Sequence, residues 1–257
     1  MLYTKFENKT IVKGILTAVD PIHIGAAGKE SLNPIEVDNA VLKDAAGNPL
    51  IPGSSLKGVV RSQFEAILRS VGARVCDIHN DKDESCTSQD IIKRIRSRSK
   101  DQKLPLLEQA ELYYEASCEV CRLFGGRQFA GKLHFKDCYY AGDSPCLFEK
   151  RDGVGINRET GSAARGVKYD FEIIPKGTQF DFELIAENLD EKQEKYLGLI
   201  LDMLCGKGMT DGDYLAVGGK TTRGLGRIRL EISEQTRRTA EDYKKSIFAF
   251  LNGEAIP

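Results

Sequence analysis

Five side chains able to bind a metal ion occur in the polar segment 73–121: Cys76, His79, Cys86, Cys118 and Cys121. In the Cys118-x2-Cys121 pair, two thiolates from one turn can reach a single ion, and a distant second pair completes a tetrahedron. Four thiolates, or three with the imidazole, suit zinc. We predict a closed structural zinc site formed by four of the five residues, which orders this segment. The alternative is unrelated free thiols and a surface histidine.

A second group of residues combines hydroxyl and basic side chains at the start of a predicted helix: Ser54, Ser55 and Lys57, with Arg61 one turn later. The free amides and the dipole at a helix N-terminus attract anions, and the hydroxyls and lysine add donors. This pattern predicts a phosphate-binding site. The alternative is a well-capped helix whose lysine is merely solvated.

Residues 217–226 are dense in glycine and include Lys220 and Arg223. Glycines allow a ligand to approach the backbone closely, and successive amides can bind an anion such as phosphate. The segment lacks the order of a Walker loop, in which Gly-Lys-Ser/Thr leads into a helix. Its composition fits an anion site and a simple turn between strands equally well.

Hydrophobic periodicity predicts the helices and strands on which these residues lie. Helices are predicted from a Ser54 or Ser55 N-cap to Gly72, from Asp190, with Gln193 completing a capping box, to Gly206, and over residues 239–251. Strands are predicted over residues 10–19 and by apolar alternation at 133–136, 180–184 and 228–232. An antiparallel sheet with one face covered by helices indicates an α+β, ferredoxin-like core.

Two segments do not fit that core. Residues 73–121 are polar, charged and rich in cysteine, which is typical of an insertion. Residues 142–170 are rich in glycine, arginine and serine without apolar periodicity, which predicts a long projecting loop or hairpin. Segments this long outside a core are usually functional or disordered. Because both carry specific chemistry, we expect both to be functional.

The overall charge is balanced, with 37 Lys+Arg against 38 Asp+Glu. A hydrophobic fraction of 41% and a charged fraction of 29% exclude wholesale disorder. No apolar run is long enough to span a bilayer and no signal peptide is evident, so we expect a cytosolic protein without a membrane partner. Because basic residues cluster in separate motifs, we expect a basic stripe on one side, which suggests RNA.

Four segments, in this order along the chain, resemble the RAMP superfamily. They are His-Ile-Gly at 23–25 with the loop to Val-Asp-Asn at 37–39, the segment 51–58 with Arg61, the segment 154–161 through 171–172, and Gly-Lys-Thr-Thr-Arg-Gly-Leu-Gly at 219–226. Residues 118–125 also look like the segment that follows an insertion in that family. The set is most similar to the repeated backbone subunits of type III CRISPR effector complexes.

The resemblance implies one domain over residues 1–257. It would comprise a modified ferredoxin-like, RNA-recognition-like palm, an inserted zinc-bearing finger region at 73–121 and a thumb hairpin at 142–170. Such subunits stack with copies of themselves and with other effector subunits along the CRISPR RNA. Their thumbs wedge into the duplex between guide and target RNA and flip out a base at regular intervals.

The resemblance also implies site residues. Asp38 stands where members that cut target RNA carry an acidic residue beside the kinked linkage. That carboxylate can take a proton from the 2′-hydroxyl or help hold Mg²⁺ or another divalent cation. Residues expected to contact RNA are His23, the helix-start residues Ser54, Ser55, Lys57 and Arg61, the glycine-rich segment's Lys220 and Arg223, and Asn157, Arg158 and Thr160 at the base of the thumb.

Three alternatives remain open at this stage. The chain could be a non-catalytic scaffold of the same complex. It could instead process CRISPR RNA through a general-base histidine, for which His23, His79 and His134 are available. From a different class, it could be a zinc-containing enzyme that acts on a small phosphorylated molecule, with the glycine-rich segment as its phosphate cradle.

Overall fold

The computed structural model describes residues 4–25, 39–78, 85–86, 88–207 and 212–252. The strands in these ranges are β1 (Asn8–Ala18), β2 (Leu50–Ile51), β3 (Leu133–Phe135), β4 (Cys138–Tyr139), β5 (Glu149–Ile156), β6 (Ala163–Ile173), β7 (Gln179–Glu187) and β8 (Ile228–Thr239). The helices are α1 (Gly53–Ser70), α2 (Gln89–Asp101), α3 (Leu106–Ala116), α4 (Glu119–Phe124), α5 (Glu191–Leu204) and α6 (Ala240–Leu251). This mixture of helices with antiparallel sheets confirms the predicted α+β class.

The main sheet has four strands in the order β3-β7-β1-β8, and every neighbouring pair is antiparallel. Val12 of β1 lies opposite Leu184 of β7, and Leu16 lies opposite Phe180, so the buried side chains of both strands share one face. Strand residues alternate between the two faces of a sheet. The alternation predicted for residues 180–184, which lie in β7, therefore marks the face that packs on the core.

Helices α1 and α5 cover that inner face. Their fully or nearly fully buried side chains, spaced for one side of a helix, are Leu56, Val60, Phe64 and Leu68 in α1 and Leu197, Ile200, Leu201 and Leu204 in α5. The rings of Phe64 and Tyr196 meet edge to face, with centroids 5.2 Å apart. Such burial is the main source of stability in a domain of this size. Ile232, expected on the buried face, is 39% exposed because β8 extends beyond the core.

The start of α5 is as predicted, whereas the start of α1 is not. Asp190 accepts a hydrogen bond from the Gln193 amide at 2.8 Å, and the Gln193 side chain returns to the Asp190 amide, which completes the capping box. Neither Ser54 nor Ser55 caps α1, which begins at Gly53 after Pro52. The Gly53 amide instead donates to the Asp137 carboxylate at 2.8 Å, so a residue from beyond β3 satisfies this helix end.

The segment 73–121 contains helices that its polar composition did not predict. Ser88 caps α2 by accepting a hydrogen bond from the Ile91 amide. Only Ile92 and Ser99 of α2 are buried, so one narrow side of that helix packs against the protein and its basic residues face outward. The short apolar stripe explains why the periodicity was too weak to predict this helix.

Strands β5 and β6 form a separate antiparallel hairpin, paired from Glu149 opposite Ile173 to Ile156 opposite Ala163. Most of β5 is exposed to solvent, whereas the end of β6 at Phe171 and Ile173 is buried against Leu225. The hairpin is therefore anchored to the rest of the molecule at its open end. Among the helices that the structure describes, none has the length and apolar character needed to cross a membrane.

Candidate metal centre and nucleic-acid interface

Four cysteines from three parts of the segment after α1 meet in one place. Cys76 follows α1, Cys86 precedes the N-cap of α2, and Cys118 and Cys121 lie at the start of α4, three residues apart. All four are buried and belong to the same apolar cluster as the core beneath the sheet. The spacing of the Cys118–Cys121 pair places both sulfurs on the same side of the first helical turn.

The cysteine centre, defined as Cys76, Cys86, Cys118 and Cys121, has the dimensions of a metal site. All four sulfurs lie within 4.8 Å of one another, and the Sγ atoms of Cys76 and Cys121 are 3.3 Å apart. A tetrahedral zinc centre with Zn–S bonds of about 2.3 Å places its sulfurs about 3.8 Å apart. The four residues could therefore bind a metal ion. His79 lies outside the described residues.

The thiols of the cysteine centre are hydrogen-bonded to one another. Hydrogen bonds from Cys121, Cys76 and Cys86 hold the pKa of Cys118 far below the usual value for a thiol, while Cys86 and Cys121, which donate to it, have raised pKa values. The Cys86 sulfur also accepts a hydrogen bond from the Cys118 amide at 3.0 Å. The thiolate is the form of cysteine that binds a metal ion, so a lowered thiol pKa favours metal binding.

The guanidinium of Arg61 points into this centre rather than into solvent. Its Nη2 donates to the Sγ atom of Cys121 at 3.4 Å, its Nη1 to the Gly125 carbonyl at 3.1 Å, and its Nε to the Glu65 carboxylate at 2.8 Å. Lys57 is also engaged, because its Nζ donates to the Leu133 carbonyl at 3.0 Å. Desolvation by burial and the nearby Arg61 lower the pKa of Lys57. Both predicted RNA contacts are thus bonded within the protein.

His23 lies in a buried position at the anchored end of the β5–β6 hairpin. Its Nδ1 donates to the Glu172 carbonyl at 2.7 Å, and its ring meets that of Phe171 edge to face, with centroids 5.6 Å apart. Only 6% of the residue is exposed. Desolvation by burial lowers its pKa, so the ring is neutral at physiological pH. A neutral ring bonded at Nδ1 presents Nε2 as an acceptor.

Lys220 and Arg223 converge on two aromatic rings of β6 beside His23. The Nζ of Lys220 lies 4.5 Å from the ring centroid of Phe171 and 5.7 Å from that of Tyr169. Nη1 of Arg223 donates to the Tyr169 hydroxyl at 2.8 Å. These five residues, His23, Tyr169, Phe171, Lys220 and Arg223, form the basic–aromatic cluster. At a surface, basic side chains held in this way can bind phosphates, and aromatic rings can stack on bases.

The glycine-rich segment is held against the His23 loop by its backbone. The Gly219 amide donates to the His23 carbonyl at 2.8 Å. Gly218 adopts a φ of +87°, and a Cβ there would lie 2.3 Å from that same carbonyl oxygen, so only glycine fits. The segment contains a short 3₁₀ turn at Thr221–Arg223 and is followed by β8. Its glycines therefore allow a close approach of two loops that places Lys220 beside the aromatic rings.

The remaining predicted RNA contacts lie elsewhere. Asn157, Arg158 and Thr160 were expected at the base of the hairpin, but they occupy the exposed turn at its tip, between Ile156 and Ala163. The Asn157 carboxamide accepts hydrogen bonds from the amides of Glu159 and Thr160 and shapes this turn. Ser54 is exposed and Ser55 half-buried at the start of α1. The structure brings together only His23, Lys220 and Arg223 of the ten predicted residues.

Tyr169, Phe171 and Glu172 also lie at this candidate site and were not predicted from the sequence. Glu172 uses one carboxylate oxygen to accept a hydrogen bond from the Val41 amide at 3.0 Å and the other to pair with Lys43 at 2.9 Å. The amide of Glu172 donates to the Asn39 carbonyl at 3.0 Å. A polar–aromatic alternation in β6 was the available signal. Asp38, the predicted catalytic residue, lies outside the described residues.

Comparisons with known proteins agree with the resemblance seen in the motifs. The chain is 27% identical over 233 residues to a protein named CRISPR system Cms endoribonuclease Csm3 from Methanocaldococcus jannaschii, covering 87% of this chain and 79% of that protein. It is 25% identical over 246 residues to a protein of the same name from Enterococcus italicus, covering 88% and 91%. The family model of the RAMP superfamily matches residues 15–229. Because that match covers most of its length, the chain belongs to the RAMP superfamily.

Proposed function

We propose that this chain is a CRISPR RNA-binding backbone subunit of a type III effector complex that cuts bound target RNA. It assembles with copies of itself and with other effector subunits into a filament along the guide. Two relatives that share most of its length are named as CRISPR endoribonucleases. The observation that carries the proposal is the basic–aromatic cluster, which sits at the anchored end of a hairpin in a chain of this superfamily.

The order of elements supports a ferredoxin-like palm. Along the chain, β1, α1, β3, β7, α5 and β8 follow a βαββαβ pattern, and their strands stand in the order β3-β7-β1-β8. Residues 73–121 would form the finger region and residues 142–170 the thumb. A sheet with one face covered by helices leaves the opposite side and the hairpin for partners.

The RNA interface that we propose is centred on the basic–aromatic cluster. Lys220 and Arg223 would neutralise phosphates, and the Nε2 of His23 would accept a hydrogen bond from a 2′-hydroxyl, a group that distinguishes RNA from DNA. Tyr169 offers a ring on which a base can stack. At the thumb tip, Asn157, Arg158 and Thr160 would meet the duplex, and the exposed Ser54 would add a hydroxyl at the start of α1.

The proposed cleavage uses the nucleophile that RNA itself provides. The Asp38 carboxylate accepts the proton of a 2′-hydroxyl as its oxygen bonds to the adjacent phosphorus. The bond from phosphorus to the 5′-oxygen breaks, that oxygen takes a proton from water, and the products are a 2′,3′-cyclic phosphate and a 5′-hydroxyl. A kinked nucleotide supplies the in-line alignment. Asn39, the residue after Asp38 in the chain, is hydrogen-bonded to β6 beside Phe171 and supports this proposal, because it lies next to the basic–aromatic cluster.

We further propose that the cysteine centre binds structural zinc. Its four sulfurs would occupy all positions of a tetrahedral ion, so no position stays open for a substrate. This favours a structural role over a zinc enzyme acting on a small phosphorylated molecule. Within the described residues, the cysteine centre is the one group of three or more His, Cys, Asp or Glu side chains close enough to share an ion.

The cleavage proposal is tested by replacing Asp38 with Asn in the assembled complex. Because removal of a general base costs about 10²–10⁴-fold, we expect target cleavage to slow at least about 100-fold, with CRISPR RNA content and target affinity unchanged. Asp213→Asn, at an exposed aspartate, is the matched control. Unchanged cleavage in Asp38→Asn would indicate a scaffold, and cleavage of free repeat RNA by the isolated chain would indicate a processing endonuclease.

The zinc proposal is tested by metal analysis of protein purified without added zinc. We expect about one zinc per chain, and Cys118→Ser should lose it and lower the free energy of unfolding by about 2–5 kcal/mol. Cys205→Ser is the control, because Cys205 is half-buried and outside the cysteine centre. Metal content that stays well below one per chain after zinc is supplied would contradict the proposal.

A further inference from the structure

Three residues spaced by four along one side of α1 lie against the cysteine centre. They are Arg61, Glu65 and Arg69. Residues four apart in an α-helix lie one above the other on the same face, so their side chains can bond in series. Glu65 occupies the middle position and pairs with both arginines, at 2.8 Å to Arg61 and 3.2 Å to Arg69.

The two ends of this row reach two different ligand residues of the centre. Arg61 donates to the Sγ atom of Cys121 at 3.4 Å, while Arg69 donates to the backbone carbonyl of Cys76 at 3.3 Å. Cys76 and Cys121 are 45 residues apart in the chain and their sulfurs approach to 3.3 Å. The side chains of Arg61, Glu65 and Arg69 therefore link α1 to Cys121 at one end and to Cys76 at the other.

Arg61 is held in one orientation by protein partners. The Glu65 carboxylate fixes its Nε and the Gly125 carbonyl fixes its Nη1, which leaves Nη2 directed at the Cys121 sulfur. Its side chain is 15% exposed and that of Glu65 13%. A guanidinium is a rigid planar fork, so two fixed nitrogens determine the position of the third.

This geometry has a chemical consequence for a bound ion. Four thiolates around a divalent cation leave an excess of negative charge in a buried place. A cationic donor against one sulfur offsets part of that charge and orients the ligand, and groups that orient metal ligands usually change metal affinity 10–100-fold when removed. We propose that Arg61 is a positioning residue of the metal centre, oriented by Glu65. This inference rests on the proposal that the cysteine centre binds metal.

Arg122 provides a matched control. It lies in α4 beside the same cysteines, is partly buried, and donates to the backbone carbonyls of Tyr114 and Glu115, at 3.0 Å and 2.7 Å. Within the part of the chain that the structure describes, none of its hydrogen bonds reaches a cysteine sulfur. Arg122→Gln thus removes hydrogen bonds to the backbone of a neighbouring segment, as Arg61→Gln does. Only Arg61→Gln also removes the donor to the Cys121 sulfur. Arg61→Lys retains the charge but loses the fork.

The experiment loads each full-length variant with Co²⁺, whose thiolate charge-transfer band reports on the sulfurs, and measures its transfer to a chelator. For Arg61→Gln we expect affinity to fall about 10–100-fold and the band to shift, with a smaller loss for Arg61→Lys. For Arg122→Gln we expect the wild-type band and affinity. Circular dichroism confirms that each variant is folded, and Arg61→Lys serves if Arg61→Gln does not fold.

Two results would overturn the inference and can be told apart. If the wild-type chain takes up no Co²⁺, the metal proposal fails and this inference fails with it. If the wild type binds Co²⁺ but Arg61→Gln and Arg61→Lys keep its band and affinity, or lose no more than Arg122→Gln, Arg61 is only a structural tie. A loss confined to the Arg61 variants supports the positioning role.

Discussion

His23 is a buried, neutral histidine that supports one side of the basic–aromatic cluster. It contacts Phe171, bonds the Glu172 carbonyl and lies near the positive charge of Lys220. Desolvation by burial favours the neutral ring and keeps the pKa below its ordinary value of 6.5. Protonation of His23 would therefore disturb the packing of the basic–aromatic cluster.

That coupling predicts a stability loss in acid. Because the folded-state pKa lies below the unfolded value, the unfolded chain binds the extra proton, and the contribution of neutral His23 is complete above pH 6.5 and lost as the pH falls below it. His23→Gln should be less stable at pH 7.5 but show a shallower fall between pH 7 and 5. Urea unfolding across this pH range measures both.

His134→Gln is the control for this prediction. Burial also lowers the pKa of His134, but that side chain is 43% exposed and pairs with Glu187, so its effect should be smaller. An equal pH dependence in wild type and His23→Gln would contradict the assignment.

At the residue scale, the sequence indicated the candidate metal ligands better than their surroundings. Cys118 and Cys121 were found because two ligands within one turn have a characteristic spacing. The bond from Arg61 to Cys121 spans 60 residues and has no local pattern. Tyr169 was not predicted for the same reason: its place in the candidate site depends on its hydrogen bond with Arg223, which lies 54 residues later in the chain.

At the element scale, Tyr169 is one of the residues that connect the β5–β6 hairpin to the glycine-rich segment. Tyr169 of β6 lies opposite Gly153 of β5, and its ring covers that glycine: a Cβ on Gly153 would lie 2.3 Å from the Cζ atom of the ring. The hydroxyl of the same tyrosine accepts a hydrogen bond from Arg223. Because Gly153 has no side chain, the Tyr169 ring can occupy this position. The position of Tyr169 in turn determines where Arg223 is held.

This arrangement predicts the effect of a single β-carbon in the hairpin. Gly153→Val should displace the Tyr169 ring, free Arg223 and weaken RNA binding by the assembled complex about fivefold, the equivalent of one lost hydrogen bond of about 1 kcal/mol. Filter binding with guide-matched RNA measures the Kd. Gly198→Ala is the control, because a Cβ there meets nothing within 4 Å. Binding equal to the wild type would contradict the role of this contact.

Element boundaries were predictable where their causes are local. The Asp190–Gln193 capping box lies within four residues and was identified, and the end of α1 near Gly72 follows from the glycine, with a φ of +76°. The start of α1 depends on Asp137, 84 residues away, and was assigned wrongly to the serines. The position of Asn157 at the hairpin tip depends on strand register, which composition does not specify.

At the scale of the whole molecule, balanced charge is compatible with local basic sites. The formal net charge is −1, yet Lys220 and Arg223 gather at one cluster and the exposed arginines of α2 lie on another element. Lys57 and Arg61 were expected in the same basic stripe but bond to protein groups instead. The proposed RNA contacts are thus more localised than the sequence suggested, and a filament of repeated subunits would multiply them along a guide.

The proposed function requires this chain to bind CRISPR RNA as part of an effector complex. Whether it does so can be measured by affinity purification of the tagged chain from its native host, followed by sequencing of the RNA that accompanies it. We predict discrete guide RNAs that share a repeat-derived tag, with their yield reduced by the double substitution Lys220→Gln and Arg223→Gln. RNA of random sequence, or no RNA above the level of an untagged control, would contradict the claim.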